Sequence, residues 1–525
     1  MSKSIISLPK DGIAGLKENF TSDAMSGFIV FLLALPLSLG IAKASDFPPL
    51  MGLISAIIGG LVVSLIAGSK LTIKGPAAGL IVIIVGAVAD FGGGETGWHL
   101  ALGAIVIAGF IQILFGVLKL GKLVDFFPLS AVHGMLAAIG MIIILKQLPV
   151  LLDVDPAIAK GKGPFALIAS IPTFFMHLDP KATIIGVVSF AIMMGWNKIK
   201  IPLFRKIPAP LVVLIIAIPA ELIMDFQTTE PTYALVHLGN LLDNIKINVD
   251  FSGVHHTAIF IKYVIMFALV GTLESLLTVK AIDMMDAYKR KSNANKDLIA
   301  VGIGNIIAGI LGGLPMISEV ARSSANIANG GKTRWANFFH GIFILLFMIF
   351  AVSFSDYIPN AALAAMLIGV GYKLAHPRSF GHIAKIGTEQ MAIFIVTIFV
   401  TLSTDILIGI LAGIVLKLMI HLYHGSPIKH LFNAKTVIEN NTIKVKGCAV
   451  FSNFIGIKKA IDTFKRTDNV IFDVSTCKIV DHTVIENLHH IKEDFEDEGG
   501  SFTIYGLEEF TPLSKSNHKF SALRK

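Results

Sequence analysis

The chain has 525 residues, of which 54% are hydrophobic and only 15% charged, and its mean hydropathy of +0.74 lies outside the range of soluble globular proteins. Its formal net charge of +8 lies in short segments between apolar runs, which argues against a nucleic-acid-binding protein and for an integral membrane protein. Cys448 and Cys477 are the two cysteines, and this argues against structural disulfides, haem attachment and a structural zinc site.

The first 23 residues are polar and lack the short apolar core and the small-residue cleavage site of a signal peptide. We expect residues 1–23 to form a cytoplasmic amphipathic segment. From residue 24 to about 425 apolar runs recur, and because backbone in lipid must satisfy its own hydrogen bonds, this region is predicted to be a helical bundle.

The apolar runs predict about fourteen spans, of which the third and tenth are shorter than the roughly 20 residues that a helix needs to cross a bilayer. The predicted spans are 24–44, 49–68, 76–91, 98–119, 130–152, 182–197, 208–226, 257–281, 296–312, 317–329, 335–354, 360–375, 389–403 and 405–424.

Basic residues concentrate in the loops that follow even-numbered spans, for example at Lys198, Lys289 and Lys332. Lys74, which precedes the third span, is assigned to the same set, with attraction of an anionic substrate as the alternative. This positive-inside bias predicts that both termini are cytoplasmic, in a multi-pass protein of the cell inner membrane. Seven spans on either side of the long connection 226–257 imply two halves of opposite orientation.

The most informative segments are residues 75–79 (GPAAG) and 313–319 (GLPMISE), at corresponding places in the two halves. Each joins a glycine-rich approach and a proline to an apolar run too short to cross alone. Interrupted helices at matching positions point to a substrate site near the membrane midplane. Their starts would present unpaired N–H groups and positive dipole ends, which suits an anion. The sequence therefore predicts an anion carrier.

After His424 the composition changes to that of a soluble domain. Strands are predicted at 442–450, 469–474 and 501–505, part of a helix at 460–466 and an amphipathic helix at 484–496. This alternation predicts a small cytoplasmic α/β domain at 435–525.

Four strings in this order resemble the sulfate permease (SulP) family of anion transporters: ALPLS at 34–38, GPAA at 75–78, ESLLT at 274–278 and GLP followed by ARS at 313–323. The tail resembles the STAS domain of that family. The resemblance implies a polytopic α-helical transport domain at 24–425 with seven-plus-seven inverted repeats. It further implies a core of spans 1–4 and 8–11 that moves against a gate of spans 5–7 and 12–14, and a homodimer.

The resemblance also implies that the anion binds between the starts of the third and tenth spans, with a nearby basic residue that attracts it. The anion site assigned in this way comprises Pro36, Ser38, Ala77, Ala78, Ser318, Glu319, Val320 and Arg322.

Glu274 stands in an otherwise apolar stretch of the eighth span, and an ionisable residue inside a span is by default a candidate functional group. Bicarbonate transporters of the family carry a carboxylate here for sodium and a threonine one turn later, which this chain matches with Glu274 and Thr278 on one helix face. Both are therefore candidate Na⁺ ligands, and a protonated packing residue is the alternative. Glu319 is either a proton-coupling carboxylate or the partner of Arg322 in a structural ion pair.

These features predict a secondary active carrier of bicarbonate or sulfate, with Na⁺-coupled symport by an elevator movement first and proton symport second. A proton-coupled nucleobase or dicarboxylate carrier and a passive anion channel stay open. No nucleophile–base set, metal cluster or P-loop appears in the sequence, so neither an enzyme nor a resident cofactor beyond a bound Na⁺ is expected. In the tail, Thr483 is interpreted as part of a helix start, with phosphorylation as the alternative.

Overall fold

The computed structural model describes residues 8–122, 127–199, 207–224, 246–351, 357–512 and the backbone of 523–524. Helices make up most of the chain up to Tyr423. They are α1 (Gly12–Ala44), α2 (Pro49–Ile66), α3 (Ala78–Asp90), α4 (Gly94–Val117), α5 (Leu129–Leu151), α6 (Pro156–Ala159), α7 (Pro164–Ala169), α8 (Ile171–Met176), α9 (Pro180–Gly195), α10 (Ala209–Met224), α11 (Thr257–Met285), α12 (Ala294–Leu311), α13 (Val320–Ala328), α14 (Trp335–Phe350), α15 (Asn360–Leu374), α16 (Pro377–Ile386), α17 (Thr388–Ser403) and α18 (Ile406–Tyr423).

Within the described residues, seven helices are long and apolar enough to cross a membrane, namely α1, α2, α4, α5, α11, α12 and α18. Five shorter helices, α3, α9, α10, α14 and α17, are also apolar. The count of fourteen spans and the domain limits stay predictions. Helix α1 already begins at Gly12, inside the predicted N-terminal segment, and has a kink at Asn19.

The two segments that the sequence marks as interrupted are extended. Strands β1 (Ile73–Pro76) and β2 (Met316–Glu319) pair antiparallel, with Gly75 opposite Ile317. Prolines at 76 and 315 explain the interruption, because proline lacks an N–H and disfavours helical conformation in the residue before it. Helix α3 starts just after β1, and α13 starts directly after β2, so the predicted broken third and tenth spans are present as strand–helix segments.

The chain divides into two compact units, 1–121 with 139–373 and 122–138 with 374–525. In the first unit α12 packs closely on α4. A methyl group on Gly302 would lie 2.6 Å from the carbonyl oxygen of Gly109, so the absence of side chains is what allows these two backbones to meet. Helix–helix contacts through small residues are typical of membrane bundles, where the hydrophobic effect does not drive helix association.

The second unit contains α16, α17 and α18 and a C-terminal α/β domain. Its strands are β3 (Lys435–Glu439), β4 (Thr442–Ala449), β5 (Asn469–Asp473), β6 (Cys477–Val480), β7 (Ser501–Tyr505), β8 (Thr511–Pro512) and β9 (Leu523–Arg524), and its helices are α19 (Ile428–Leu431), α20 (Phe454–Ile461) and α21 (His482–Asp497). The strand order is β7-β5-β4-β6-β9-β8, with β3 added as an antiparallel partner of β4. Neighbouring strands β7, β5, β4 and β6 run parallel.

The three predicted strands of this domain and its second helix are confirmed. The first helix, α20, occupies Phe454–Ile461 and so overlaps the segment 460–466, predicted as part of a helix, only at its first two residues. It starts early because the Asn453 side chain accepts the Val450 N–H at 3.0 Å and fixes the preceding turn. Strand β3 escaped prediction because four of its five residues are exposed, so it lacks the usual alternation of buried and exposed positions.

Candidate anion and cation site

The paired strands β1 and β2 hold the candidate site together. Ala78 begins α3 beside one end of the pair and Val320 begins α13 beside the other. The paired strands cover three residue steps from Ile73 to Pro76, or roughly 10 Å, and the two helix starts lie beyond their opposite ends. Ala77 and Ala78 are buried, and no side chain caps the start of α3. The first N–H groups of α3 therefore face the site without a side-chain acceptor.

The start of α13 differs from the prediction that its first backbone N–H groups are unpaired. Glu319 is its N-cap, and Glu319 Oε2 accepts the backbone N–H of Arg322 at 2.6 Å. A carboxylate at a helix N-terminus is stabilised by the backbone dipole. Glu319 already supplies the negative charge that this helix start favours. The side chain of Val320, the next assigned residue, is 48% exposed and apolar, so it contributes no polar group.

Arg322 is completely buried, and its guanidinium lies against Gly75 of β1. Its Nε is 4.0 Å from Glu319 Oε2, which is an ion pair at the outer limit of distance. None of the three guanidinium nitrogens has a hydrogen-bond partner among the described residues. A buried cation with unpaired donors is costly, and an anion is the species that would satisfy it.

Glu274 of α11 is buried against the first turn of α3. A methyl group on Gly79 would overlap its carboxylate, so glycine at this position is what admits the acidic side chain. Glu274 Oε1 is buried and has no hydrogen-bond partner in the described part of the chain. An oxygen of this kind fits a bound proton or a hard cation such as Na⁺. Thr278 is buried one turn further along the same helix.

Ser318 is present at the site, but its polar groups are already engaged. Its N–H donates to Ser275 Oγ at 3.2 Å, and its hydroxyl donates to Asp297 Oδ2 at 3.0 Å. Pro36 and Ser38 are buried in α1, which contacts both β1 and α3. The Ser38 hydroxyl has no partner among the described residues. The structure thus places Ala77, Ala78, Ser318, Glu319 and Arg322 on or beside the paired strands, and Pro36 and Ser38 in a helix that contacts them.

Sequence reasoning missed the residues that support the strands. Lys74 is fully buried, and its Nζ is 2.9 Å from Asp297 Oδ1, so its assignment to the loop lysines is wrong. Asn305 also holds β2, because its Oδ1 accepts the Met316 N–H at 2.6 Å. Gln112, interpreted only as a packing residue, accepts a 2.7 Å bond from Asn305.

The profile of the Sulfate permease family matches residues 20–398, well over half of the chain. The chain belongs to this family. The prediction made from the four sequence strings is therefore confirmed. The sulfate permeases are a family of membrane transporters. The chain is therefore a multi-pass membrane protein.

Individual relatives and solved structures agree with membership of the sulfate permeases. The bicarbonate transporter BicA of Picosynechococcus is 26% identical over 407 residues, which cover 76% of this chain and 69% of that protein. A candidate sulfate transporter of Bacillus subtilis, YvdB, is 26% identical over 431 residues, which cover 80% and 77% of the two chains.

The solved transmembrane domain of a cyanobacterial BicA superposes with a TM-score of 0.65 at 22% identity, covering 75% of this chain and 97% of that chain. The structure of SLC26A9 superposes with a TM-score of 0.68 at 14% identity, covering 93% and 84%. At these identities the likeness shows the fold alone. The predicted helical membrane transporter fold is confirmed.

Proposed function

We propose that this protein is a secondary active transporter of a small inorganic anion, bicarbonate or sulfate, and that a cation on Glu274 is required for anion binding. The observation that carries the proposal is the position of the Glu274 carboxylate against Gly79, in the one helix start of the pair that no side chain caps. The anion and the Glu274 carboxylate would both lie at the positively polarised N-terminus of α3.

Electrostatics makes the two occupants of this helix start depend on each other. Two unit negative charges about 5 Å apart repel by about 3 kcal/mol at an effective dielectric constant of 20. That repulsion weakens anion binding by about two orders of magnitude, since 1.4 kcal/mol is a factor of ten. A Na⁺ ion or a proton on Glu274 removes the repulsion. Binding of cation and anion is then mutually favourable, as symport requires.

Sodium is the first choice of coupling ion. Glu274 and Thr278 provide carboxylate and hydroxyl oxygens on one helix face, and hard cations prefer oxygen ligands. Backbone carbonyls of β2 are suitable additional ligands. A proton on Glu274 would serve the same electrostatic purpose and is the second choice. Glu319 is a weaker candidate for proton coupling, because it caps α13.

The wider scheme follows the family resemblance. We propose that spans 1–4 and 8–11 form a core that carries the ions past a gate of spans 5–7 and 12–14, in an elevator movement. We also propose a homodimer in the cell inner membrane with both termini in the cytoplasm. The parallel strand order of the C-terminal domain, with helices α20 and α21, supports its assignment as a STAS domain.

The alternative of a proton-coupled nucleobase or dicarboxylate carrier needs two carboxylates free to bind substrate. Glu319 is engaged as an N-cap, which leaves Glu274 alone for that task and disfavours a neutral heterocycle. A passive channel would carry the anion without any dependence on the coupling ion.

Uptake of labelled bicarbonate and sulfate into proteoliposomes tests the proposal, with an imposed Na⁺ or H⁺ gradient. We expect sodium-driven uptake whose dependence on sodium is abolished by Glu274→Gln and only partly reduced by Glu319→Gln. Glu221→Gln is a matched control, since it removes a buried carboxylate of α10 that lies outside β1, β2 and α3.

The other results have distinct meanings. Uptake that follows a proton gradient and ignores sodium would give the coupling role to a protonating carboxylate, which is Glu274 if Glu274→Gln removes the proton dependence and Glu319 if Glu319→Gln does. Uptake unaffected by Glu274→Gln would refute the coupling role. Competition by uracil, a purine or a dicarboxylate, with neither anion transported, would overturn the inorganic-anion assignment.

A further inference from the structure

A cluster of buried polar side chains lies away from the candidate transport site, in the second compact unit. Lys417 of α18 is 1% exposed, and its Nζ lies 3.1 Å from Asp481 Oδ2 and 2.8 Å from Thr483 Oγ1. His421, one turn further along α18, places Nε2 3.6 Å from the same carboxylate oxygen. The last long apolar helix is therefore joined to the C-terminal domain by buried polar contacts.

Asp481 is the centre of this cluster. Its Oδ1 accepts the Val484 N–H at 2.8 Å and so caps α21, while its Oδ2 accepts the Phe451 N–H at 2.8 Å. Burial alone would raise the pKa of Asp481, but Lys417, His421 and the two backbone donors outweigh burial and hold that pKa below its usual value. One carboxylate thus organises two segments of the domain and binds α18.

Apolar contacts surround the charged pair. Leu418, next to Lys417, packs on a buried cluster that contains Leu431, Cys448, Val450 and Ile479 of the domain. The Lys417 ammonium also lies 4.9 Å from the centre of the Phe451 ring. Water is excluded from the pair, so a loss of either charge leaves the other buried without compensation.

A second ion pair in the same unit provides the contrast. Lys122 Nζ lies 2.5 Å from Asp462 Oδ2, but the two side chains are 45% and 30% exposed. Solvent screens such a pair and it contributes little. Lys417–Asp481 and Lys122–Asp462 are therefore a buried and an exposed ion pair to the C-terminal domain that can be compared.

We propose that the Lys417–Asp481 pair is the contact through which the C-terminal domain acts on the last membrane helix, and that Thr483 serves this contact rather than accepting a phosphoryl group. Thr483 is 1% exposed and its hydroxyl is already bonded to Lys417, so a kinase could reach it only after the domain had separated from α18. The attachment does not depend on which ion is transported. Its effect on transport rests on the proposed function.

Cys448 gives a built-in reporter of this contact, because it is buried in the cluster that packs on Leu418. In a Cys477→Ala background it is the only thiol of the chain. We would measure its labelling by N-ethylmaleimide in nanodiscs. Lys417→Met should speed labelling at least tenfold, whereas Lys122→Met should leave the rate unchanged. Equal rates for both variants would overturn the proposal.

Two further variants cover the case in which Lys417→Met does not fold. Thr483→Val keeps the shape of the side chain and removes one bond to Lys417, so it should give a smaller increase in labelling. The exchanged pair Lys417→Asp with Asp481→Lys should not restore the native rate, because an ammonium group in place of the Asp481 carboxylate could not accept the two backbone N–H groups. Labelling of Thr483→Val at the wild-type rate would contradict the role given to Thr483.

A transport measurement separates two questions. The first is whether the Lys417–Asp481 pair attaches the C-terminal domain to α18, and the second is whether this attachment affects transport. Uptake by Lys417→Met should show a maximal rate lowered at least threefold with an unchanged half-saturating anion concentration, because α3, α11, β1 and β2 are untouched. Fast labelling of Cys448 with an unchanged maximal rate would refute the coupling and leave the attachment standing. If wild-type protein transports neither anion, the labelling result still decides the attachment.

Discussion

The buried ion pair between Lys74 and Asp297 should be the most costly side-chain contact to break near the site. The two side chains are 0% and 1% exposed. Asp297 also accepts the Ser69 N–H at 3.1 Å and the Ser318 hydroxyl at 3.0 Å, so it joins β1, β2 and α12. Lys74→Met would leave a buried carboxylate without its cation. Removal of one partner from a buried pair costs about 3–5 kcal/mol.

Thermal unfolding of purified protein in nanodiscs measures this cost. Lys74→Met should lower Tm by several degrees, and the double variant Lys74→Met with Asp297→Asn should recover part of the loss, since it removes the unpaired buried charge and keeps an oxygen acceptor for the Ser69 N–H. Lys262→Met is the control: it breaks an ion pair with Asp90 whose side chains are 38% and 43% exposed, so it should cost under about 1 kcal/mol. If Lys74→Met and Lys262→Met lowered Tm by the same small amount, the claim that the buried Lys74–Asp297 pair is costly to break would be refuted.

Three other changes test separate features. Gly79→Ala should displace the Glu274 carboxylate and raise the sodium concentration for half-maximal uptake, measured in proteoliposomes; an unchanged value would exclude this contact. His340→Leu should raise the free energy of unfolding by about 1–3 kcal/mol, because both buried ring nitrogens lack partners in the described residues; a lower Tm would show that they are satisfied. The lowered pKa of Asp481 means that its stabilising effect is complete above the usual carboxyl range and is lost as the pH falls through the lower folded value. Labelling of Cys448, expressed relative to a free thiol at the same pH, should therefore stay constant between pH 7 and 5, and a relative acceleration in that range would contradict this.

The interrupted helices could be predicted because their cause is local. Proline removes a donor and restricts the preceding residue, whatever surrounds it. Strand β7 and helix α21 could also be predicted from the sequence, since each has its own hydrophobic pattern. Glu274 could be identified as a candidate functional residue because an ionisable side chain inside an apolar span is costly unless it has a function.

Other features depend on pairing between distant segments. Lys74 looks like any lysine before a span, and only the fold shows that Asp297 lies beside it. Ser275 and Asn305 are ordinary polar residues until their bonds to β2 are known. Glu319 was missed as a cap because glutamate is not among the residues preferred at that position, so the pattern indicated a functional acid instead.

The charges of the site bear on the choice between bicarbonate and sulfate. Glu274 and Glu319 contribute two negative charges and Arg322 one positive charge, while Lys74 and Asp297 neutralise each other. Without ions the site therefore carries about one net negative charge. One Na⁺ with one bicarbonate leaves that charge unchanged, whereas one Na⁺ with one sulfate adds a further negative charge in a medium of low dielectric. On the proposed function, bicarbonate pairs with a single cation and its transport is electroneutral. Sulfate transport needs two cations to reach the same balance, so a current that accompanies sodium-driven bicarbonate uptake would contradict this charge count.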